Sequence, residues 1–242
     1  MRNVLVATLA AGLSILVPYA PAAEVARTEQ VGDSYIYRTL DIYSGVEDGR
    51  YRWRITGVEA DRLIFDDGYW ITDRLGNDLK LGIGAQISGM QFFVPELQAG
   101  KSWKSAYTHT RADGARYTIE YDFTVVAQEQ VRVPAGTFDT WRIEGTGYIH
   151  QVSGLRHGKA CDRHAVVKLW VAPDRVTRFV AENYTQRGAV IGCSHYYANT
   201  RTELVAFGPN ADAVAGAANQ PRDPHGHHSQ IRTRPVTGLD DY

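Results

Sequence analysis

Apolar and polar positions alternate with a period of two along most of this chain. In Arg50-Tyr51-Arg52-Trp53-Arg54-Ile55-Thr56, the residues Tyr51, Trp53 and Ile55 fall on one side and three arginines on the other. Side chains of a strand point alternately to its two faces, so one apolar side predicts a half-buried strand. Tyr117 to Val126 repeats the pattern, with Tyr117, Ile119, Tyr121 and Phe123 against Thr118, Glu120, Asp122 and Thr124. Further strands are predicted at Ser34–Leu40, Arg62–Phe65, Tyr69–Thr72, Trp141–Ile149, Val166–Val171, Thr177–Tyr184 and His195–Phe207, about ten in all. Asp66-Asp67-Gly68 lies between two of these runs and predicts a hairpin turn, because such turns need positive φ. Ala172-Pro173-Asp174-Arg175 predicts another turn. No long 3.6-residue periodicity appears; Val94–Ala99, with Pro95 early, could hold one helical turn.

These elements predict an all-β fold, an antiparallel curved sheet or a barrel-like meander. Two duplicated halves are also suggested. Val31-Gly32-Asp33-Ser34-Tyr35 is echoed 68 residues later by Ala99-Gly100-Lys101-Ser102-Trp103. Arg50-Tyr51 and Arg116-Tyr117 then open alternating strands, and Glu59 to Leu63 matches Glu129 to Val133.

Both ends of the chain break the pattern. Met1-Arg2-Asn3 carries one positive charge, Val4 to Val17 is apolar or small, and Ala20-Pro21-Ala22 is a small-x-small site. That order predicts a secretory signal peptide over residues 1–23. Its apolar run is shorter than the roughly 20 residues a spanning helix needs. The β-rich domain then covers 24–208. Residues 209–242 are poor in large apolar side chains and predict a disordered tail. A transition metal could bind only loosely to His225, His227 and His228 within it.

Composition narrows the function. Arg2 is the only one of the 26 basic residues inside the signal, which holds none of the 27 acidic ones, so the mature chain is close to neutral. No basic field for nucleic acid results. The mature chain contains no transmembrane segment by length, and no cysteine stands at the cleavage point for lipid attachment. The expected location is periplasmic or secreted.

Two cysteines, Cys161 and Cys193, remain in the mature part. An oxidising compartment favours their pairing as a disulfide. A metal would instead use Cys161-x-x-His164 and Cys193-x-His195, spacings unlike those of common zinc modules, so no metal site is expected.

Familiar catalytic patterns are missing. The chain has no G-x-S-x-G, no H-E-x-x-H, no P-loop and no G-x-G-x-x-G, and it implies no cofactor. The most unusual local composition is the basic, glycine-containing stretch from His150 to His164. Its Arg156, His157, Lys159, Arg163 and His164 form a possible loop for an anionic ligand. A concave aromatic face could alternatively hold an apolar one.

Val131-Arg132-Val133-Pro134-Ala135-Gly136-Thr137-Phe138-Asp139 resembles a string found in TapB-like exported bacterial β-rich proteins, a domain of unknown function. Leu169-Trp170-Val171-Ala172-Pro173 resembles a second string of that group. The resemblance implies an exported β-rich domain over about residues 30–207 and supplies no catalytic residues. Physically, Val-Pro-Ala-Gly-Thr-Phe is a strand end, a turn and a new strand start.

Together these readings predict an exported protein without catalytic activity that binds an envelope lipid, polysaccharide or protein. Two alternatives are an envelope-polymer hydrolase whose acid/base pair the linear sequence hides, and a structural module that pairs through a sheet edge.

Overall fold

Strong alternation produces long strands here, and the strands close on themselves. The structure is a computed structural model that describes residues 28–82, 85–154, 160, 162–188 and 197–215. Among these residues run twelve strands: β1 (Ser34–Asp41), β2 (Glu47–Val58), β3 (Arg62–Phe65), β4 (Trp70–Asp73), β5 (Asp78–Lys80), β6 (Gln86–Ser88), β7 (Ser102–Thr110), β8 (Arg116–Val133), β9 (Gly136–Gln151), β10 (Arg163–Val171), β11 (Ala181–Gly188) and β12 (Tyr197–Gly208). Each pairs antiparallel with its neighbours in sequence, and β12 returns to β1, from Ser34↔Gly208 to Asp41↔Thr200. The result is a closed up-and-down barrel. The ring contains no free edge strand, which removes the basis of the sheet-edge assembly reading.

The inner wall is aromatic and aliphatic. Tyr35, Tyr37, Tyr51, Trp53, Ile55, Tyr117, Ile119, Tyr121, Phe123, Val125, Ile143, Ile149, Val167 and Leu169 are all buried. Gly145 and Gly147 on β9 admit the large rings. A Cβ on Gly145 would stand 2.6 Å from Cδ1 of Phe123, and one on Gly147 would stand 2.5 Å from Cδ1 of Tyr121 and run into the carbonyl oxygen of Glu120. Phe123 and Tyr121 therefore pack against the backbone of β9 at these two glycines. The interior is filled rather than hollow.

The outer wall is charged. Arg38 pairs with Glu203 at 2.8 Å, Arg52 with Asp212 at 3.5 Å, Lys104 with Asp122 at 2.6 Å and Lys168 with Glu144 at 3.1 Å. Burial would raise the Glu203 carboxyl, but hydrogen bonds from Arg201 and Arg38 outweigh it and hold the group below its ordinary value. Charged outside and apolar inside is the reverse of a membrane-spanning barrel. No described helix is long and apolar enough to cross a membrane.

Several sequence expectations hold in detail. Tyr51, Trp53 and Ile55 face inward and the arginines between them outward, as the alternation predicts. Asp66-Asp67-Gly68 turns β3 into β4 with positive φ at all three residues. Ala172–Arg175 is a turn, closed by the Arg175 N–H donating to the Ala172 carbonyl at 2.9 Å. Pro134 and Ala135 turn β8 into β9, so the Val-Pro-Ala-Gly-Thr-Phe string is a hairpin tip. Val131, Val133 and Phe138 are buried there, and the Ala135 N–H donates to the Leu204 carbonyl at 3.1 Å.

The internal echo is structural over its first part. The Asp33 N–H donates to the Gln30 carbonyl and the Lys101 N–H to the Gln98 carbonyl, each at 3.1 Å. The Gly32 N–H reaches the Ile55 carbonyl and the Gly100 N–H the Val125 carbonyl, each at 2.8 Å. Both glycines have positive φ, so the same tight turn opens β1 and β7. The echo ends after these hairpins. Glu59 to Arg62 forms a turn, whereas Glu129 to Val133 continues β8.

Other expectations need correction. Residues Val94–Ala99 form no helical turn; Glu96 has φ 54, which breaks any helix there. The strand expected from Thr177 starts only at Ala181, because Arg178 has φ 77 and folds inward. β5, β6 and β7 were not legible. The inward positions of β7 include the buried Ser105 and His109, so its alternation of hydrophobicity disappears. The first residues of the expected tail continue the fold: α1 (Ala211–Ala215) buries Ala211 against Ile36 and Ala206 on the outer wall. The signal segment, the remainder of the tail with its histidines, Cys161 and Cys193 lie outside the described residues.

Candidate functional site

The end of the barrel where β4 and β10 finish is closed by loops. Residues 89–101 cross it and send Phe92 into the interior, edge-on to Tyr107, Tyr121 and Phe123 at ring separations of 4.9–5.9 Å. One buried side chain clips this loop in place. Asn77 Oδ1 accepts from the N–H groups of Phe92 at 2.7 Å and Phe93 at 2.8 Å. Asn77 Nδ2 donates to the Phe93 carbonyl at 2.8 Å and to Asp73 Oδ2 at 2.9 Å. Two consecutive amides that no strand pairs are satisfied in this way.

Beside the plug lies a cleft of about 270 Å³. Phe93, Leu97, Trp141, Ile143 and Val171 supply its apolar surface; Ile143 and Val171 are themselves core residues of β9 and β10. Its polar lining is Glu29, Arg74, Glu96, Asp174, Thr177 and Arg178. Glu29 accepts from Arg74 Nη2 at 3.1 Å and from the Thr177 hydroxyl, tying the chain before β1 to both loops. Arg178 is buried at the wall. Its Nη1 lies 3.2 Å from Asp78 Oδ1, and its guanidinium stacks over Trp70 at 4.7 Å. Asp78 also accepts from the Trp70 indole N–H at 2.8 Å. The absence of a side chain at Gly76 leaves room for Arg178, whose backbone N would lie only 3.0 Å from a Cβ there. Leu75, Val94, Pro95 and Pro173 also line the cleft.

Of the residues expected to form an anion-binding loop, Arg163 and His164 are described, and they do not share a face. Arg163 and His164 are successive residues of β10 and point to opposite faces. Arg163 is buried, its guanidinium 4.9 Å above the Tyr117 ring, while His164 stacks edge-on against Tyr148 at 5.1 Å on the outside. Arg156, His157 and Lys159 lie outside the described residues. The strand ends flanking that stretch, Gln151 and Arg163, stand at the opposite end of the barrel from the cleft.

A third feature is a shallow groove on the outer wall, lined by Arg52, Arg54, Asp66 and Asp67. Burial pushes the Asp66 carboxyl up, against hydrogen bonding from the Arg54 amide and the charge of Arg52. This raised carboxyl is away from the cleft, where Glu29 is already held by Arg74 and Thr177.

Sequence reasoning missed Asn77, Arg74, Arg178 and Glu29. One signal was available for Arg178: a single charge inside Val176-Thr177-Arg178-Phe179-Val180. A buried charge in such a run needs a partner, which the fold supplies from Asp78.

No protein-family model matches the chain, and no curated protein matches it. The TapB-like resemblance therefore stands on its two strings alone. Among solved structures, one similar to this chain is a protein from Parabacteroides distasonis described as a lipoprotein, with a TM-score of 0.46 at 10% identity, covering 74% of this chain and 95% of that one. A second, from Bacteroides fragilis, is described as exported with a YmcC-like fold; it has a TM-score of 0.45 at 12% identity, covering 74% and 96%. A third is the hypothetical lipoprotein YmcC from Escherichia coli, with a TM-score of 0.41 at 10% identity, covering 72% and 83%.

Proposed function

We propose that this chain is an exported, periplasmic or secreted barrel that binds an envelope component without catalysis, and that the cleft beside the plug is its binding site. The observation that carries the reading is the cleft itself. It combines an apolar surface continuous with the core, at Ile143 and Val171, with fixed polar groups. That combination characterises small-molecule sites, and about 270 Å³ approaches the lower end of their usual range, roughly 300–1,000 Å³. Export is supported by the signal-like residues 1–23, and a water-facing role by the charged outer wall.

Native mass spectrometry of protein purified from its own envelope tests the reading. A bound small molecule near one per chain is expected, and Val94→Phe, which enlarges a lining side chain, is expected to remove it. A bound species that survives Val94→Phe would place binding elsewhere.

A further inference from the structure

We propose that the turn joining β1 to β2 is a lipid-docking tip, with Ile42, Tyr43 and Val46 entering the interface of a membrane surface. The inference stands apart from the cleft, which lies at the other end of the barrel.

Apolar exposure is concentrated at this turn. Tyr43 is 73% exposed, Val46 64% and Ile42 39%. Among the described residues, no other stretch of five positions exposes more than two large apolar side chains. Single exposed apolar residues are ordinary on a protein surface; a group of them at one tip marks a contact.

The backbone of the tip is prepared to leave water. Asp41 Oδ1 accepts from the Tyr43 N–H at 3.1 Å, the Ser44 N–H at 2.8 Å and the Ser44 hydroxyl at 2.9 Å. The Gly45 N–H donates to the Asp41 carbonyl and the Asp41 N–H to the Val46 carbonyl, each at 2.9 Å. The Ile42 N–H reaches the Asn199 carbonyl at 3.1 Å, and the Val46 N–H reaches the Ser44 hydroxyl at 3.3 Å. Every N–H from Asp41 to Val46 thus has an acceptor inside the protein. Moving the tip out of water orphans none of these donors. A protein partner can pair a free amide with its own carbonyls, whereas the acyl boundary of a bilayer cannot, so complete internal pairing favours lipid. Tyrosine also suits this depth, because its amphipathic ring sits at headgroup level.

Charge sets the kind of surface. Arg50 pairs with Glu47 at 2.7 Å, and Arg38 lies 3.9 Å from the same carboxylate. With Asp41 and Asp48 beside them, the base of the tip offers no basic cluster to anionic lipid. Apolar contact therefore supplies the attraction, and the docked barrel turns its cleft away from the membrane.

Vesicle flotation of the exported protein tests the inference, using pure phosphatidylcholine and phosphatidylcholine with added phosphatidylglycerol. One buried acyl chain gives an association constant of roughly 10⁴ M⁻¹, and a shallow tip binds more weakly, so the lipid series runs to about 10 mM. The wild type is expected to float with pure phosphatidylcholine, and no better when phosphatidylglycerol is added. Tyr43→Ser combined with Val46→Ser is expected to weaken flotation about tenfold at an unchanged melting temperature. Tyr43→Phe should keep most of the binding, and Leu79→Ser, at another exposed apolar site, should leave it intact. A double variant that floats like the wild type overturns the inference. Flotation that requires phosphatidylglycerol and disappears in salt overturns it too, by placing the contact on charges elsewhere. Absence of flotation throughout the series also overturns it and leaves the tip to a protein partner.

Discussion

Replacing Asn77 by alanine should loosen the plug and lower stability well beyond the loss of one surface amide. The side chain makes four hydrogen bonds, and two of them satisfy the consecutive Phe92 and Phe93 amides. Asn77 is 2% exposed and both phenylalanines are buried, so solvent does not replace the lost acceptor without rearrangement. Each orphaned buried donor costs about 1–3 kcal/mol, giving about 2–6 kcal/mol for the pair before any loop movement. We expect about 3 kcal/mol, because a partly released loop recovers some contacts with water. For a domain of this size that is roughly 6–12 °C in melting temperature. Urea unfolding followed by tryptophan fluorescence reads the stability. Hydrogen exchange at Phe92 and Phe93 reads the loop. Both amides should be protected in the wild type and exchange faster in Asn77→Ala than amides of β8. A loss below about 1 kcal/mol, or wild-type amides that exchange freely, would show that the clip does not hold the plug.

Gly147→Ala should cost at least about 3 kcal/mol, the upper part of the overpacking range, because the new methyl meets the rigid Glu120 carbonyl as well as the Tyr121 ring; a thermal melt within 2 °C of wild type, roughly half a kcal/mol, would contradict the packing argument. Asp66→Asn should raise the melting temperature at neutral pH. Burial lifts the Asp66 carboxyl above its ordinary 3.8, so the folded state binds the proton more readily and stability falls as pH rises through the folded value; the variant should flatten that slope, and an unchanged slope would refute it. Cutting the chain after residue 215 should leave the melting temperature nearly unchanged, whereas cutting after 208 should lower it, because α1 packs Ala211 on Ile36 and pairs Asp212 with Arg52; equal effects would remove any role for α1. Peptide mapping without reductant should find Cys161 joined to Cys193, and two alkylatable thiols in the exported protein would exclude the bond.

Much of the wall of this barrel was legible in the sequence, because a strand with one apolar face writes its burial directly into alternate residues. β2, β8, β9 and β10 could be read that way, as could the turns at Asp66–Gly68 and Pro134–Ala135, where positive φ or a missing donor demands particular residues. The turns at Gly32 and Gly100 were visible as an echo for the same reason. Tertiary structure alone decided the features that depend on contacts between distant residues. Closure depends on β12 finding β1, more than 150 residues away, which no local pattern encodes. The strand β7 was hidden because its inward Ser105 and His109 are polar. The cleft arises where residues from five separate segments, among them Glu29, Arg74, Phe93, Trp141 and Arg178, meet at one end of the barrel. Apart from Arg178, a lone charge in an apolar run, none stands out beside its sequence neighbours. Only folding sets the Arg178 charge against Asp78 and Trp70, so the chemistry of the site belongs to the assembled barrel end and not to any stretch of the chain.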